Sequence, residues 1–209
     1  AGFGLVHAAH EWLVMYELAG GTGGQFNPAL YILQFTLMAF SFLSLAAFGA
    51  YLLLGVESTW RISLTIPLLL EAVWVFGLVS FKGRFPTLDM PAIADVWTRY
   101  SLAIPAGLLA GAGLIAQQRA FRRAGMSRFG QDSLWAAVCF GWYSLVGQFF
   151  TQPSALFPST FINEDLFFNL FGFPIQFVRA AAAVGAAVYV IRFLRAFQVE
   201  ADHMIAELQ

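Results

Sequence analysis

Long apolar stretches alternate with short polar segments along almost the whole chain. Each stretch is close to the 20 or so residues that a helix needs to cross the hydrocarbon core of a bilayer. Six stretches reach this length, with approximate bounds 2–19, 29–54, 62–81, 100–118, 133–150 and 173–194. The pattern therefore predicts an all-α integral membrane protein that folds as one bundle of six transmembrane helices. An even number of spans places both ends of the chain on the same side of the membrane.

The last apolar stretch continues beyond the length of a membrane span. Apolar side chains recur at spacings of 3 and 4 residues, at Leu194, Phe197, Ala201, Met204 and Leu208. Such spacing is typical of a coiled-coil seam. It predicts a transmembrane domain over 1–195 and, in residues 196–209, the first part of a cytoplasmic stalk helix. We expect two copies of the chain to form a homodimer through this helix. An amphipathic tail helix is the alternative, because fewer than three heptads are visible.

Composition agrees with a membrane protein and removes other classes. Hydrophobic residues make up 59% of the chain and charged residues 11%, against about 25% charged residues in soluble domains. The net charge of −1 and the lack of a basic block leave no electrostatic basis for nucleic-acid binding. A single cysteine, Cys139, allows neither an internal disulfide nor a thiolate metal cluster.

Basic residues predict the orientation of the bundle. Only Lys82, Arg84 and Arg99 fall in the segments on one side of the predicted bundle, whereas the other side carries the larger group: Arg61, Arg119, Arg122, Arg123, Arg128, Arg192 and Arg195. By the positive-inside rule, both termini face the cytoplasm. Because the sequence begins with Ala1 and an apolar helix starts at once, we expect a few residues to precede it.

Ionisable residues inside the predicted spans are the first candidates for a site. His7, His10 and Glu11 are spaced three and four apart, so they share one face of the first span. Glu71 in the third span and Arg179 in the sixth could join them in a polar network that switches with protonation or redox state. Three interpretations stay open: a structural ion-pair network, a ligand or proton-coupled site, and a metal or haem site with His7 and His10 as ligands. Histidines three residues apart can share a metal ion but cannot occupy both axial positions of one haem.

Two further groups suit an apolar ligand. The first loop is rich in glycine, so its backbone could cradle a ligand head group, and a flexible turn is the alternative reading. Phenylalanines are abundant between Phe149 and Phe177, and Gln148, Gln176 and Arg179 lie near them in the sequence. Such a set fits a prenylated quinone or a membrane lipid, although packing in the core or against lipid also explains the aromatic residues.

The same loop carries a short family motif. The residues Gly23, Gly24, Gln25, Phe26, Asn27 and Pro28 resemble the Gly-Gly-x-x-Asn-Pro-Phe element of redox-responsive sensor kinases of the RegB type, with Ala29 in place of the final phenylalanine. In that family the element is linked to quinone binding. The resemblance implies that Gly23, Gly24, Asn27 and Pro28 contribute to a quinone site.

A broader resemblance covers nearly the whole chain. Four segments resemble the six-helix N-terminal membrane region of certain bacterial sensor histidine kinases: His7–Trp12, Arg99–Pro105, Phe157–Asn163 and Phe173–Ala180. In that family PAS and kinase modules follow this region. The resemblance implies a sensory input domain in a bacterial inner membrane that detects an apolar or membrane-redox ligand and acts on cytoplasmic effector domains beyond this sequence. The sequence itself contains no kinase machinery, so this segment is not expected to be an enzyme.

Two alternatives stay open, and the first of them belongs to another functional class. The first is an accessory subunit of a membrane electron-transfer or photosynthetic complex, in which the tail helix would dock a partner. The second is a redox sensor that binds haem or another metal group through His7 and His10.

Overall fold

A computed structural model describes residues 2–21, 27–54, 60–87, 89–123, 125 and 127–207. Regular structure in these ranges is helical and includes no strand, so the predicted all-α fold is confirmed. The elements are α1 (Gly2–Leu18), α2 (Pro28–Leu54), α3 (Trp60–Lys82), α4 (Met90–Thr98), the π-helical segment π1 (Arg99–Ala103), α5 (Ile104–Arg123), α6 (Ser127–Trp142), the π-helical segment π2 (Tyr143–Gly147), α7 (Glu164–Phe171) and α8 (Ile175–Glu207).

Four helical stretches in the described ranges are long and apolar enough to cross a membrane. These are Pro28–Leu54, Arg61–Lys82, Met90–Arg123 and Ile175–Arg192. This result is consistent with a membrane protein. The other two predicted spans correspond to α1, with 17 residues, and α6, with 16 residues followed directly by π2. The arrangement of six spans stays a prediction.

The fourth predicted span begins about ten residues earlier in the structure. Sequence analysis assigned 82–99 to a segment outside the bundle, but a helix starts at Met90 and passes through π1 into α5 without a break. Pro91 lies in the first turn of this helix, where its missing N–H costs no hydrogen bond. Arg99, which entered the charge count as part of the outer segment, is therefore within a continuous helical stretch.

Close packing of α2 and α5 forms the centre of the bundle. α2 also contacts α1 and α3, while α5 contacts α6, which in turn packs on α8. Phe42, Leu45 and Leu114 are completely or almost completely buried in this core. A Cβ atom at Gly49 would lie 2.5 Å from the backbone nitrogen of Ala110. Only glycine lets the two helix backbones approach so closely.

A short helix, α7, follows the end of π2. Asn163 caps the start of α7, since its side-chain oxygen accepts a hydrogen bond from the Leu166 N–H at 3.0 Å. Gly172, which has a positive φ of 76°, follows its last residue. Asparagine is a preferred N-cap residue and glycine a preferred residue after a helix end. The N–H of Glu164 donates to the Thr151 carbonyl at 2.8 Å, which holds α7 against the chain that leaves π2.

The final helix extends well beyond the predicted span. α8 contains 33 residues and continues as one helix from Ile175 to Glu207. Leu194 is 49% exposed. The other positions of the predicted seam, Phe197, Ala201, Met204 and Leu208, lie outside the part of the chain whose side chains are described. Pairing through this seam therefore stays a prediction.

Candidate functional site

A group of hydrogen-bonded polar side chains, here called the polar cluster, lies beside the two π-helical segments. It consists of Asp95, Arg99, Gln148 and Gln152, together with Arg179, which bonds to backbone carbonyls beside them. Arg99 Nε donates to the two carboxylate oxygens of Asp95 at 3.0 and 3.2 Å, and Arg99 Nη1 donates to Gln148 Oε1 at 2.8 Å. Gln152 Nε2 donates to Asp95 Oδ2 at 3.2 Å. The charges of Asp95 and Arg99 thus compensate each other, one helical turn apart.

Arg179 connects α8 to the end of π2. Carbonyl groups at the end of a helix lack partners within that helix. Arg179 Nε donates to the Gly147 carbonyl at 2.5 Å, and Arg179 Nη2 donates to the Phe150 carbonyl at 2.9 Å. Tyr100 Oη donates to the Phe149 carbonyl between them at 3.2 Å. The negative end of the helix dipole also stabilises a guanidinium at this position.

His7 joins three elements through its two ring nitrogens. Nδ1 lies 3.1 Å from Ser41 Oγ, and Nε2 lies 2.8 Å from Tyr143 Oη. The Ser41 hydroxyl donates to the Met38 carbonyl at 2.7 Å, so His7 Nδ1 must carry the hydrogen in its bond to Ser41. His7 Nε2 then accepts the Tyr143 hydroxyl hydrogen. These bonds tie α1 to α2 and π2.

His10 lies in a separate set of bonds between α1 and α2. Its Nδ1 donates to the Gln34 carbonyl at 2.9 Å, and Gln34 Nε2 donates to a carboxylate oxygen of Glu17 at 3.1 Å. In this arrangement His7 has no free lone pair, because Tyr143 uses it. The structure therefore does not present His7 and His10 as a pair of metal ligands. Across the described ranges, no group of three or more His, Cys, Asp or Glu side chains is placed to hold a metal ion.

The predicted network of Glu11, Glu71 and Arg179 does not form. Glu11 is 57% exposed, and its Oε1 lies 3.6 Å from His7 Nε2, beyond hydrogen-bonding distance. Glu71 is exposed on the outer face of α3. Arg179 uses backbone carbonyls as its acceptors instead of carboxylates. The reason is geometric, since α8 packs against α6 and π2, while α3 packs against α2 and α4.

The remaining predicted residues divide between the polar cluster and helix ends. Gln148 is completely buried within the polar cluster, whereas Gln176 is exposed and donates to Glu164 Oε2 of α7 at 3.2 Å. Asn27 Oδ1 accepts from the Ala29 and Leu30 N–H groups at 3.1 and 3.3 Å, so Asn27 caps the helix that starts at Pro28. Gly23 and Gly24 lie outside the described residues. The structure thus gives Asn27 and Pro28 a role in starting α2.

Sequence reasoning missed four members of this site. Asp95, Arg99 and Gln152 were not selected as site residues, and Tyr143 was treated as part of an apolar span. Opposite charges four residues apart at the edge of an apolar stretch, as in Asp95 and Arg99, are the local signal that indicates a helical pair. Placing this segment outside the bundle concealed it. Tyr143 has no comparable signal, because its partner His7 is 136 positions away.

We predict that Tyr143→Phe lowers the free energy of unfolding by about 1 kcal/mol, since the buried His7 Nε2 loses its donor. Tyr51→Phe is the matched control, because Tyr51 is 45% exposed on α2. We expect the control to change stability by less than about 0.5 kcal/mol. Unfolding in mixed micelles monitored by tryptophan fluorescence measures both variants. Equal stability of the two variants would contradict the assigned hydrogen bond.

Together the polar cluster and the His7 bonds connect five parts of the bundle. These are α1, α2, the continuous stretch formed by α4 and π1, the segment π2, and α8. Most of the side chains involved are buried or half-buried, and both π-helical segments contribute to the arrangement. Segments of π-helix inside longer helices occur frequently at functional sites. Comparison of the chain with protein-family models, with curated proteins and with solved structures found no match.

Proposed function

We propose that this chain is the transmembrane sensory input domain of a signal-transducing histidine kinase, with α8 as the output helix. One observation carries the proposal. Arg179 of α8 is bonded directly to the carbonyls of Gly147 and Phe150 where π2 ends. Any rearrangement of the polar cluster that moves the end of π2 therefore acts on α8. Differential binding of a ligand to two such arrangements would shift their populations.

A second contact links α8 to α6 near the other end of the bundle. Arg192 Nη2 lies 2.9 Å from the carboxylate of Asp132, whose side chain is only 7% exposed. The Arg192 guanidinium also lies 5.7 Å from the ring centroid of Tyr189. Arg179 and Arg192 thus hold α8 at two levels, and beyond Arg192 the helix continues to Glu207. This geometry supports transmission of a helix shift towards effector domains, with two copies paired through the seam.

The proposed ligand is a membrane quinone or a similar apolar molecule with carbonyl oxygens. Gln148 Nε2 and Ser144 Oγ are buried, and neither makes a hydrogen bond of good geometry among the described residues, although the Tyr143 hydroxyl lies within interaction range of the Gln148 side chain. Ser144 and Gln148 are four residues apart, so both groups lie on the same side of π2 and its end. A buried donor without an acceptor is costly. A carbonyl oxygen of a quinone would supply the acceptor that Gln148 lacks.

A binding measurement tests the ligand. We expect decylubiquinone to quench the tryptophan fluorescence of the purified chain in nanodiscs. Gln148→Leu should weaken the apparent affinity about 10-fold, since one hydrogen bond to a buried group is worth roughly 1–2 kcal/mol. Gln176→Leu is the matched control, because Gln176 is exposed and bonds to α7. Equal affinity of the two variants would remove Gln148 from the site.

The coupling of π2 to α8 through Arg179 gives a further prediction. Spin labels at Leu69→Cys on α3 and Ile191→Cys on α8, both exposed, report the position of α8 in a Cys139→Ala background. We expect decylubiquinone to change the distance between the labels. Arg179→Leu should abolish this change, because the bonds to Gly147 and Phe150 are lost. Arg195→Leu, an exposed arginine on the same helix, should retain it.

The two outcomes of this experiment differ in meaning. A full distance change in the Arg179→Leu variant would show that α8 responds without this contact, and the output mechanism would be wrong. Binding of decylubiquinone without any distance change in the parent chain would instead favour an accessory subunit of an electron-transfer complex, in which α8 docks a partner.

A further inference from the structure

A carboxyl group lies in the middle of the exposed face of α3. Glu71 is the central residue of this helix, which contains 23 residues from Trp60 to Lys82. At a rise of about 1.5 Å per residue, Glu71 is roughly 16 Å from either end. The helix is long and apolar enough to cross a membrane. In a hydrocarbon core of about 30 Å, Glu71 therefore lies near the bilayer centre.

The surroundings of Glu71 on α3 are apolar and exposed. Leu68 is 59% exposed and Phe76 is 75% exposed. The packed side of α3 faces elsewhere, since the Trp74 indole N–H donates to Thr98 Oγ1 at 2.8 Å and the Trp97 indole N–H donates to the Trp74 carbonyl at 3.0 Å. Within the described ranges, Glu71 takes part in no ion pair. Among the described residues, its carboxyl group thus has no partner to offset its transfer out of water.

A membrane constrains what can satisfy this group. Ionisable side chains at bilayer depth normally pair with one another or face a protein interior. Copies of the chain inserted in one orientation all hold Glu71 at the same depth. Two α3 helices that meet about a twofold axis would therefore bring their carboxyl groups into contact. A carboxyl group that carries its hydrogen can donate one hydrogen bond and accept another, so two such groups in contact can satisfy each other.

We propose that the exposed face of α3 is an interface between two copies of this chain, in which the two Glu71 carboxyl groups hydrogen-bond to each other. Leu68 and Val75, one turn on either side of Glu71, pack around this contact, and the small side chain of Ala72 allows the helices to approach. A second copy is the occupant because its carboxyl group is complementary in hydrogen bonding and is held at the matching depth.

This interface is separate from the predicted seam on α8 and does not depend on the proposed function. The helices pack in the order α3, α2, α5, α6, α8. α3 and α8 are therefore at opposite ends of the packing order, and one twofold contact at α3 leaves α8 available. Copies joined through both surfaces would form assemblies larger than a dimer.

Disulfide cross-linking in vesicles tests the α3 contact directly. In a Cys139→Ala background, Val75→Cys is expected to cross-link between copies on mild oxidation. Leu69→Cys is the control, because Leu69 is exposed as well, at 66% against 44% for Val75, but lies on a different side of α3. We expect little cross-linking at this position. Absence of a cross-link at position 75, or equal cross-linking at 75 and 69, would overturn the proposal.

Substitutions of Glu71 distinguish association through hydrogen bonds between the carboxyl groups from association through apolar packing alone. Glu71→Leu should weaken self-association through α3 about 10-fold, which corresponds to one interhelical hydrogen bond in a membrane. Glu71→Gln should retain most of the association, because amide groups also pair. Cross-linking at Val75→Cys reads out both variants, and Ala201→Cys in the predicted seam reports the other surface. Unchanged cross-linking at position 75 in the Glu71→Leu variant would show that the carboxyl pair does not form.

Discussion

Asp95→Asn is expected to lower the free energy of unfolding by about 3 kcal/mol, because it leaves the charge of Arg99 uncompensated in a largely buried site. The Arg99 and Asp95 side chains are only 13% and 22% exposed. The substitution keeps the size and shape of the side chain, so it isolates the charge. Reversible unfolding in mixed micelles, followed by tryptophan fluorescence, measures the effect.

Two controls make this prediction specific. Asp89→Asn changes an exposed carboxylate that makes no side-chain bond to the start of α4, and we expect it to alter stability by less than about 0.5 kcal/mol. The double variant Asp95→Leu/Arg99→Leu should recover most of the lost stability, since an apolar pair has no charge to desolvate. If Asp95→Asn is as stable as the parent chain, the pair does not stabilise the bundle.

Gly49→Ala is expected to destabilise the bundle by about 2 kcal/mol, because the added methyl group forces α2 and α5 apart. The Cβ atom would lie 2.5 Å from the Ala110 nitrogen, and backbone atoms cannot move aside as a flexible side chain can. A Cβ atom at Gly113 of α5 would in turn lie 2.8 Å from the Gly49 carbonyl oxygen. Both contacts belong to one close crossing of two helices.

Gly141→Ala provides a control with the opposite sign. Gly141 lies within α6, and a Cβ atom there meets nothing within 4 Å. Alanine is favoured over glycine in helices by up to about 1 kcal/mol, so we expect this variant to be as stable as the parent chain or more stable. The same unfolding measurement compares the two variants. Equal effects at positions 49 and 141 would show that helix propensity, and not the close crossing, controls stability.

Much of the fold follows from local sequence properties. The apolar stretch at 62–81 predicts α3 within a few residues of its observed bounds, because bilayer thickness sets the length of a spanning helix and the apolar composition of the segment marks its position. The fourth span was predicted less well. Asp95 and Arg99 interrupt the apolar pattern, yet each neutralises the other within the helix, so their charges did not mark a helix end.

The candidate site could be predicted only in part. Sequence alone selected Gln148, Arg179 and His7, because polar groups in apolar stretches are costly and must be satisfied. It paired Arg179 with Glu11 and Glu71 on the basis of charge. The structure shows backbone carbonyls as the partners of Arg179, since π2 ends beside α8 and leaves those carbonyls without internal partners. The partner of a buried cation is thus decided by which groups the packing leaves unsatisfied.

The sequence by itself determined that this chain is helical, that several helices are long and apolar enough to cross a membrane, and that a few polar groups need partners. These are properties of single segments. Tertiary structure alone decided which segments meet, as in the bond between His7 and Tyr143 and the close crossing at Gly49. It also left Glu71 on the outside of α3. The physical reason is that helix packing depends on the shapes of facing surfaces, which bring together residues far apart in the chain.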